Sequence, residues 1–111
     1  VVGTGAWNKL REAKVTTSRA KINQLANVAL QDYRRHYNRL PDSLEELLQP
    51  SDKNFGEPYA NPADLRDSWE NDMRYTRISN SKFKVVSLGA DGTEGGEQDD
   101  ADITWPDDFD N

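Results

Sequence analysis

A run of carboxylates and glycines near the end of the chain, residues 87–103, is the part of the sequence best suited to chemistry. It holds four aspartates, two glutamates and four glycines, and no Lys or Arg follows Lys84. Carboxylates this dense repel one another unless water or a cation lies between them. Because glycine lets backbone carbonyls turn toward a common point, the run suits an oxygen-only site for a hard cation, calcium above all.

The spacing of these residues indicates how one calcium ion would be held. Asp91 and Asp102 lie near the two ends of the run and can close it around an ion. The candidate ligands are the carboxylates of Asp91, Asp102 and either Asp99 or Asp100, with the backbone carbonyls of Leu88 and Thr93. We therefore predict a calcium loop over residues 88–103, with a solvated acidic loop as the alternative.

The run does not fit the EF-hand pattern. With Asp91 as the first ligand, Gly95 takes the fifth position and offers no side-chain oxygen. Asp102 stands where the bidentate Glu is expected, an apolar strand precedes the loop, and Pro106 blocks a following helix. A different loop that solves the same coordination problem is predicted.

Catalytic chemistry is poorly supported elsewhere. His36 is the single histidine and there is no cysteine, so any Ser-His or Cys-His site would depend on this one residue. We expect His36 to be exposed at a helix end. The glycines lie among acids, which would repel a phosphate group. The sequence therefore indicates a protein that is not an enzyme.

Composition limits the class of protein further. A length of 111 residues suits one domain, and the absence of cysteine excludes disulfides and thiolate metal sites. Residues 1–39 hold eight bases and two acids, whereas residues 85–111 hold nine acids and no bases. This split favours head-to-tail packing of identical chains, or two solvated ends. Nucleic-acid binding is disfavoured, because the basic stretch has no interleaved aromatics.

Residues 7–37 are predicted to form one long helix, because no Gly or Pro interrupts them. Apolar residues at helical spacing, among them Ile22, Ala29 and Tyr33, mark the buried side of its C-terminal half. The N-terminal half has little to bury and should protrude. Residues 1–6 are small and apolar, and we interpret them as the remnant of a truncated membrane helix.

After this helix, the pattern changes to short elements. Ser43 and Glu46 form a capping box for a short helix over residues 44–48. A loop over residues 50–70 carries Phe55, Tyr59 and Trp69. A β-hairpin over residues 72–88 follows, with strands at 72–79 and 82–88, then the acidic loop, a short strand at 103–105 and a frayed tail at 106–111. The predicted fold is α+β: a long N-terminal helix packed on a small antiparallel sheet, in a single domain.

Four stretches resemble one known family. Asn38-Arg39-Leu40-Pro41, at the end of the helix, is similar to that family's G-R-Y-P, and residues 44–48 resemble its G-L-E-A-L turn. Residues 67–75 resemble D-P-W-G-N-P-Y, with Ser68, Glu70 and Asp72 in place of Pro, Gly and Pro. Residues 87–103 are the most specific match, to a calcium loop. The chain thus resembles the major pseudopilins of bacterial type II secretion, within the type IV pilin-like superfamily, over residues 7–105.

The resemblance implies calcium in the acidic loop, with the Leu88 carbonyl, Asp91 and Asp102 as the best-matched ligands. It also implies a cleaved leader, a methylated N-terminus and an apolar helix anchored in the inner membrane, with this domain in the periplasm. Copies would assemble into a filament through the N-terminal helix, beside other pseudopilins and inner-membrane secretion components. The alternatives are a minor pseudopilin, a type IV pilin, or a secreted calcium-dependent module that binds through Phe55, Tyr59 and Trp69.

Overall fold

One long helix with a single wider turn forms the first third of the chain. The computed structural model describes residues 2–106, and side chains from Lys9 onward. Helix α1 (Val2–Gln24) continues through a π-helical turn (Leu25–Ala29) into α2 (Leu30–Tyr37). The sequence placed this helix at 7–37, so residues 2–6 extend it. No helix of the described residues is long and apolar enough to cross a membrane.

The π-helical turn was not predicted, and it widens the buried side of the helix. Here the Leu30 N–H donates to the Leu25 carbonyl, five residues back. The extra residue in the turn brings Leu25, Ala26, Ala29 and Leu30 all into the core. The helix then ends at Asn38, whose φ of 61° is the left-handed conformation common after a last helical turn.

The N-terminal half of α1 is largely uncovered over the residues whose side chains are described. Residues 9–13 are exposed, and Leu10 keeps 48% of its surface in contact with solvent. Val15 is half-buried, and from Lys9 onward Ser18 is the first fully buried side chain of the helix. The half that was expected to protrude is therefore exposed at residues 9–13, and it contacts the rest of the domain through Arg11, the Lys14 carbonyl and Val15.

A short 3₁₀ helix (Leu44–Leu48) packs Leu44 and Leu47 into the core. The Glu46 carboxylate accepts from the backbone N–H of Ser43 at 3.3 Å, as the capping box predicts, and from that of Asp42 at 2.5 Å. Two further 3₁₀ turns, Asp52–Asn54 and Pro62–Leu65, give the following loop its own structure.

Three antiparallel strands cover the buried side of the helix. Strands β1 (Arg74–Arg77), β2 (Phe83–Ser87) and β3 (Ile103–Trp105) lie in that order in the sheet. Tyr75 pairs with Val85, which pairs in turn with Trp105. The first two strands are shorter than predicted because their ends pass into turns. The α+β layout with a long helix and small antiparallel sheet is confirmed. Residues 107–111 of the predicted tail lie outside the described residues.

The core explains why the sheet and helix hold together. Phe83, Val85 and Ile103 of the sheet are buried against Ile22 and Leu30 of the helix segment. The Phe83 ring stacks on Trp105, with ring centroids 4.7 Å apart. This pairing fixes β3 to β2, and the acidic loop spans the gap between these two strands.

Candidate functional site

The acidic loop, residues 88–102 between β2 and β3, folds back so that its two ends touch. Leu88 is buried, and the Ala90 N–H donates to the Asp99 carbonyl at 2.7 Å. Gly89 has a φ of +82°, and a Cβ there would lie 2.7 Å from the Asp100 carbonyl oxygen. Only glycine permits this approach, so the first glycine of the run closes the loop.

A second glycine approaches the same carbonyl. Gly96 has a φ of +101°, and a Cβ built on it would lie 2.6 Å from the Asp100 carbonyl oxygen. The backbone of Asp100 is therefore in close contact with both Gly89 and Gly96. Side chains at either position would force the loop open.

The two carboxylates expected to close the loop both face backbone donors in its middle. Asp91 Oδ1 accepts from the Thr93 N–H at 3.1 Å, and Asp102 Oδ2 accepts from the Gly95 N–H at 3.3 Å. The Thr93 hydroxyl donates back to the Asp91 carbonyl at 3.2 Å. Asp91 and Asp102 are both exposed, so their remaining lone pairs are open to solvent.

Asp99 is turned toward the helix. Arg11 Nη2 donates to Asp99 Oδ1 at 2.6 Å and to Gln98 Oε1 at 3.0 Å. The hydrogen bond from Arg11 lowers the pKa of the Asp99 carboxyl below its usual value. Arg11 lies on the exposed stretch of α1 at residues 9–13, so this pair joins the acidic loop to the N-terminal half of the helix.

The donor chemistry of the loop suits calcium, but the carboxylates are not gathered around one point. Among the described residues, no three His, Cys, Asp or Glu side chains lie close enough to hold a metal ion. Asp91 and Asp102 bind backbone donors and Asp99 binds Arg11, as given above. All the candidate ligands are oxygens, which hard cations prefer. The predicted calcium site thus stays a prediction.

Asp67 is the residue that sequence reasoning missed. It is 1% exposed, and its Oδ1 accepts from the backbone N–H groups of Trp69 and Asn71, each at 3.0 Å. Its Oδ2 accepts from the Ser87 hydroxyl at 2.7 Å. The sequence does contain a signal for this role, because an Asp that starts a turn commonly accepts a hydrogen bond from the N–H two residues later.

The same turn reaches the acidic loop through Asn71. Its Nδ2 donates to the Gly89 carbonyl at 3.3 Å, and its side chain lies 3.5 Å from the position of a Cβ at Gly92. The Gly89 N–H contacts the Ser87 hydroxyl at 3.4 Å. The Asp67 turn therefore organises the start of the acidic loop through hydrogen bonds.

Ser68 connects this turn to the long helix. Its backbone N–H donates to Ser18 Oγ at 2.9 Å, and its hydroxyl donates to the Lys14 carbonyl at 2.6 Å. Proline, the residue of the resembled family at this position, has no N–H and could not make the first bond. The departure at Ser68 therefore adds a contact rather than removing one.

His36 and the loop aromatics differ from expectation. His36 is half-buried, because its Nδ1 lies 2.6 Å from the Tyr59 hydroxyl, instead of being exposed. Tyr59 and Trp69 pack against the core, whereas Phe55 is 98% exposed. The binding surface of three aromatics, proposed for a secreted module, is thus not formed.

A long helix packed on a small antiparallel sheet, with a glycine-rich acidic loop before the last strand, defines a pilin-like protein. A family model described as type II secretion system protein G matches residues 6–105. The chain belongs to this family, that of the major pseudopilins.

Two relatives agree with this assignment. The type II secretion system core protein G of Xanthomonas campestris pv. campestris is 28% identical over 108 residues, which cover 95% of this chain and 75% of the relative. The protein of the same name from Pseudomonas aeruginosa is 34% identical over 102 residues, covering 83% and 70%. The resemblance to the major pseudopilins of type II secretion, identified from the sequence, is thereby confirmed.

Proposed function

We propose that this pseudopilus subunit of type II secretion completes its acidic loop with a calcium ion. The observation that carries the proposal is the closure of the loop on itself at Gly89, Asp100 and Gly96. Asp91 follows Gly89 by two positions and Asp102 follows Asp100 by two, and both of these residues are exposed. A divalent cation between them would offset the repulsion of the surrounding acids.

The ligand set follows from which oxygens are already engaged. Asp91 and Asp102 each give up only a backbone hydrogen bond of more than 3.0 Å. Asp99 is held by Arg11, so Asp100 is the better third carboxylate. The carbonyls of Leu88 and Thr93 complete the proposed set, and water supplies the remaining oxygens.

Calcium bound here would stabilise the folded chain, because the unfolded chain does not gather these oxygens. At a free calcium concentration of 100 times Kd, the expected gain is about 2.7 kcal/mol. The loop contributes few apolar contacts of its own, since residues 91–98 are all exposed. The ion would thus stabilise the loop, as apolar packing stabilises the rest of the domain.

Together with calcium binding, we propose how the subunit assembles and where it is anchored. The subunit acts structurally rather than as an enzyme, and it assembles with further copies and with other pseudopilins. An apolar segment before residue 1 anchors it in the inner membrane, with this domain in the periplasm. The helical conformation of residues 2–6, which would continue such a segment, supports this arrangement.

Calorimetric titration of the metal-free chain with calcium tests the proposal. Wild type should bind one ion, and Asp91→Asn should weaken binding at least tenfold. Glu97→Gln is the matched control, because Glu97 is an exposed acid of the same loop outside the proposed ligand set. Equal affinity in all three proteins, or no binding by wild type, would contradict the calcium site.

A further inference from the structure

Phe55 is displayed to solvent by a loop that is well fixed. It is 98% exposed and has a φ of 59°, a conformation that non-glycine residues rarely adopt. The loop is closed by the Ser51 N–H, which donates to the Glu57 carbonyl at 3.3 Å, and by the Gly56 N–H, which donates to the Ser51 carbonyl at 2.8 Å. Nothing within the described part of the chain accounts for an aromatic ring held in this position.

The base of this loop is attached to the C-terminal end of the long helix. The Ser51 hydroxyl lies 2.5 Å from the Tyr37 hydroxyl, and Lys53 Nζ donates to the His36 carbonyl at 3.1 Å. Lys53 also lies over the Tyr37 ring, 5.2 Å from its centroid. Phe55 therefore keeps a fixed position relative to the helix.

A groove lined in part by aliphatic side chains, which could accept an aromatic ring, lies beside the middle of the same helix. It has a volume of about 450 Å³, and Ala20, Leu25 and Val28 form part of its lining. Val28 is 44% exposed although it is aliphatic. Tyr37 follows Val28 by nine residues, so the Phe55 loop is attached about 14 Å further along the helix axis. Since Phe55 is almost fully exposed, it does not occupy this groove in its own chain.

Charges around the two features are complementary. Lys53 and Glu57 flank Phe55, while Lys21 and Asp64 line the groove. Within the described residues, neither Glu57 nor Lys21 takes part in an ion pair. Glu57 beside Phe55 and Lys21 in the groove thus carry opposite charges, which favours one orientation of a contact.

We propose that Phe55 of one copy inserts into the Ala20–Leu25–Val28 groove of the next copy of the chain. The contact is heterologous, because the Phe55 loop and the groove are different surfaces at different positions along the helix axis. Such contacts repeat from copy to copy and give open helical assemblies instead of closed dimers. The proposal rests on the filament function given above and adds a specific contact outside the N-terminal helix–helix packing.

Disulfide cross-linking in assembled filaments tests this contact, since these 111 residues contain no cysteine. The full natural protein carrying Phe55→Cys and Val28→Cys should give a ladder of linked dimers, trimers and longer species on oxidation. The control pairs Phe55→Cys with Ile78→Cys, at a side chain that is 48% exposed and outside the groove. Filaments that give no ladder with the first pair, or equal ladders with both, would overturn the contact.

A second variant leaves Phe55 intact. Val28→Arg should fill the groove and reduce filament yield at least tenfold without lowering Tm, whereas Ile78→Arg should assemble as wild type does. Normal assembly of Val28→Arg would refute the insertion while leaving the filament function in place. Failure of wild type itself to assemble would overturn the filament function, and this contact with it.

Discussion

The Ser87 hydroxyl donates a hydrogen bond of 2.7 Å to the buried carboxylate of Asp67. This bond joins the turn that precedes β1 to the last residue of β2, directly before the acidic loop. Through Asn71, the same turn also holds the Gly89 carbonyl. The start of the acidic loop is thus positioned by groups that lie outside it.

Replacement of Asp67 by Ala should be among the most destabilising single changes. It leaves the buried Ser87 hydroxyl and the partly buried N–H groups of Trp69 and Asn71 without their acceptor. A loss of about 3 kcal/mol is expected, since each buried unsatisfied group costs about 1–3 kcal/mol. Urea unfolding measures this loss. The control is Asp52→Ala, at an exposed position, which should change stability by less than about 0.5 kcal/mol. Equal losses of stability in the two variants would contradict the assigned role of Asp67.

Substitution at Ser68 should separate the hydrogen bond of its backbone N–H from those of its hydroxyl, which also lies 2.7 Å from the Ser18 hydroxyl. Ser68→Ala keeps the N–H that donates to Ser18 but loses the hydroxyl that donates to Lys14, at a cost of about 1 kcal/mol. Ser68→Pro loses the N–H and the hydroxyl together and should cost more. Thermal unfolding should therefore rank wild type above Ser68→Ala and Ser68→Pro last. A proline variant as stable as wild type would show that this contact does not hold the turn on the helix.

The carboxylate of Glu46 makes stability depend on pH in the acidic range. Burial raises its pKa, but hydrogen bonds from the Tyr33 hydroxyl and the Asp42 and Ser43 N–H groups outweigh this, so the pKa lies below the usual 4.5. A lowered folded-state pKa contributes stability above the unfolded pKa, and that stability is lost as pH falls through the folded value.

Melting curves of wild type and Glu46→Gln between pH 7 and pH 3 test this. Wild type should melt higher at neutral pH, and the difference should shrink as the pH falls below the ordinary Glu range. A difference that stays constant over the whole interval would rule out the ionised carboxylate as its source.

Removal of Arg11 should loosen the far end of the acidic loop. Arg11→Gln breaks the bond to Asp99, whose carbonyl accepts from the Ala90 N–H at 2.7 Å. Amide hydrogen exchange at Ala90 should become faster. Lys9→Gln removes a charge from the same exposed stretch of helix and should leave this exchange unchanged. Identical rates in the two variants would mean that the Arg11 contact does not hold the loop.

The elements with strong periodicity were predictable from the sequence. The spacing of Ile22, Ala29 and Tyr33 identified the buried side of the helix, and Ile103–Trp105 was placed correctly as a strand. The π-helical turn was not predictable, because its residues are compatible with either helix type and tertiary packing decides between them.

The candidate site was only partly predictable for a related reason. The acidic composition identified the loop, but the pairing of Asp99 with Arg11 joins residues 88 positions apart. No local pattern reports such a contact. The buried role of Asp67 likewise depends on Ser87, a partner supplied by another element.

Thermal unfolding in metal-free buffer, with and without calcium, tests the calcium-stabilised loop most directly. Calcium should raise the Tm of wild type, EDTA should return it to the lower value, and Asp91→Ala should remove most of this response, because one of the two end carboxylates is lost. With free calcium at about 100 times Kd, the gain of about 2.7 kcal/mol corresponds to a rise of roughly 10 °C. Melting of wild type that is the same in EDTA and in calcium would contradict a calcium-stabilised loop.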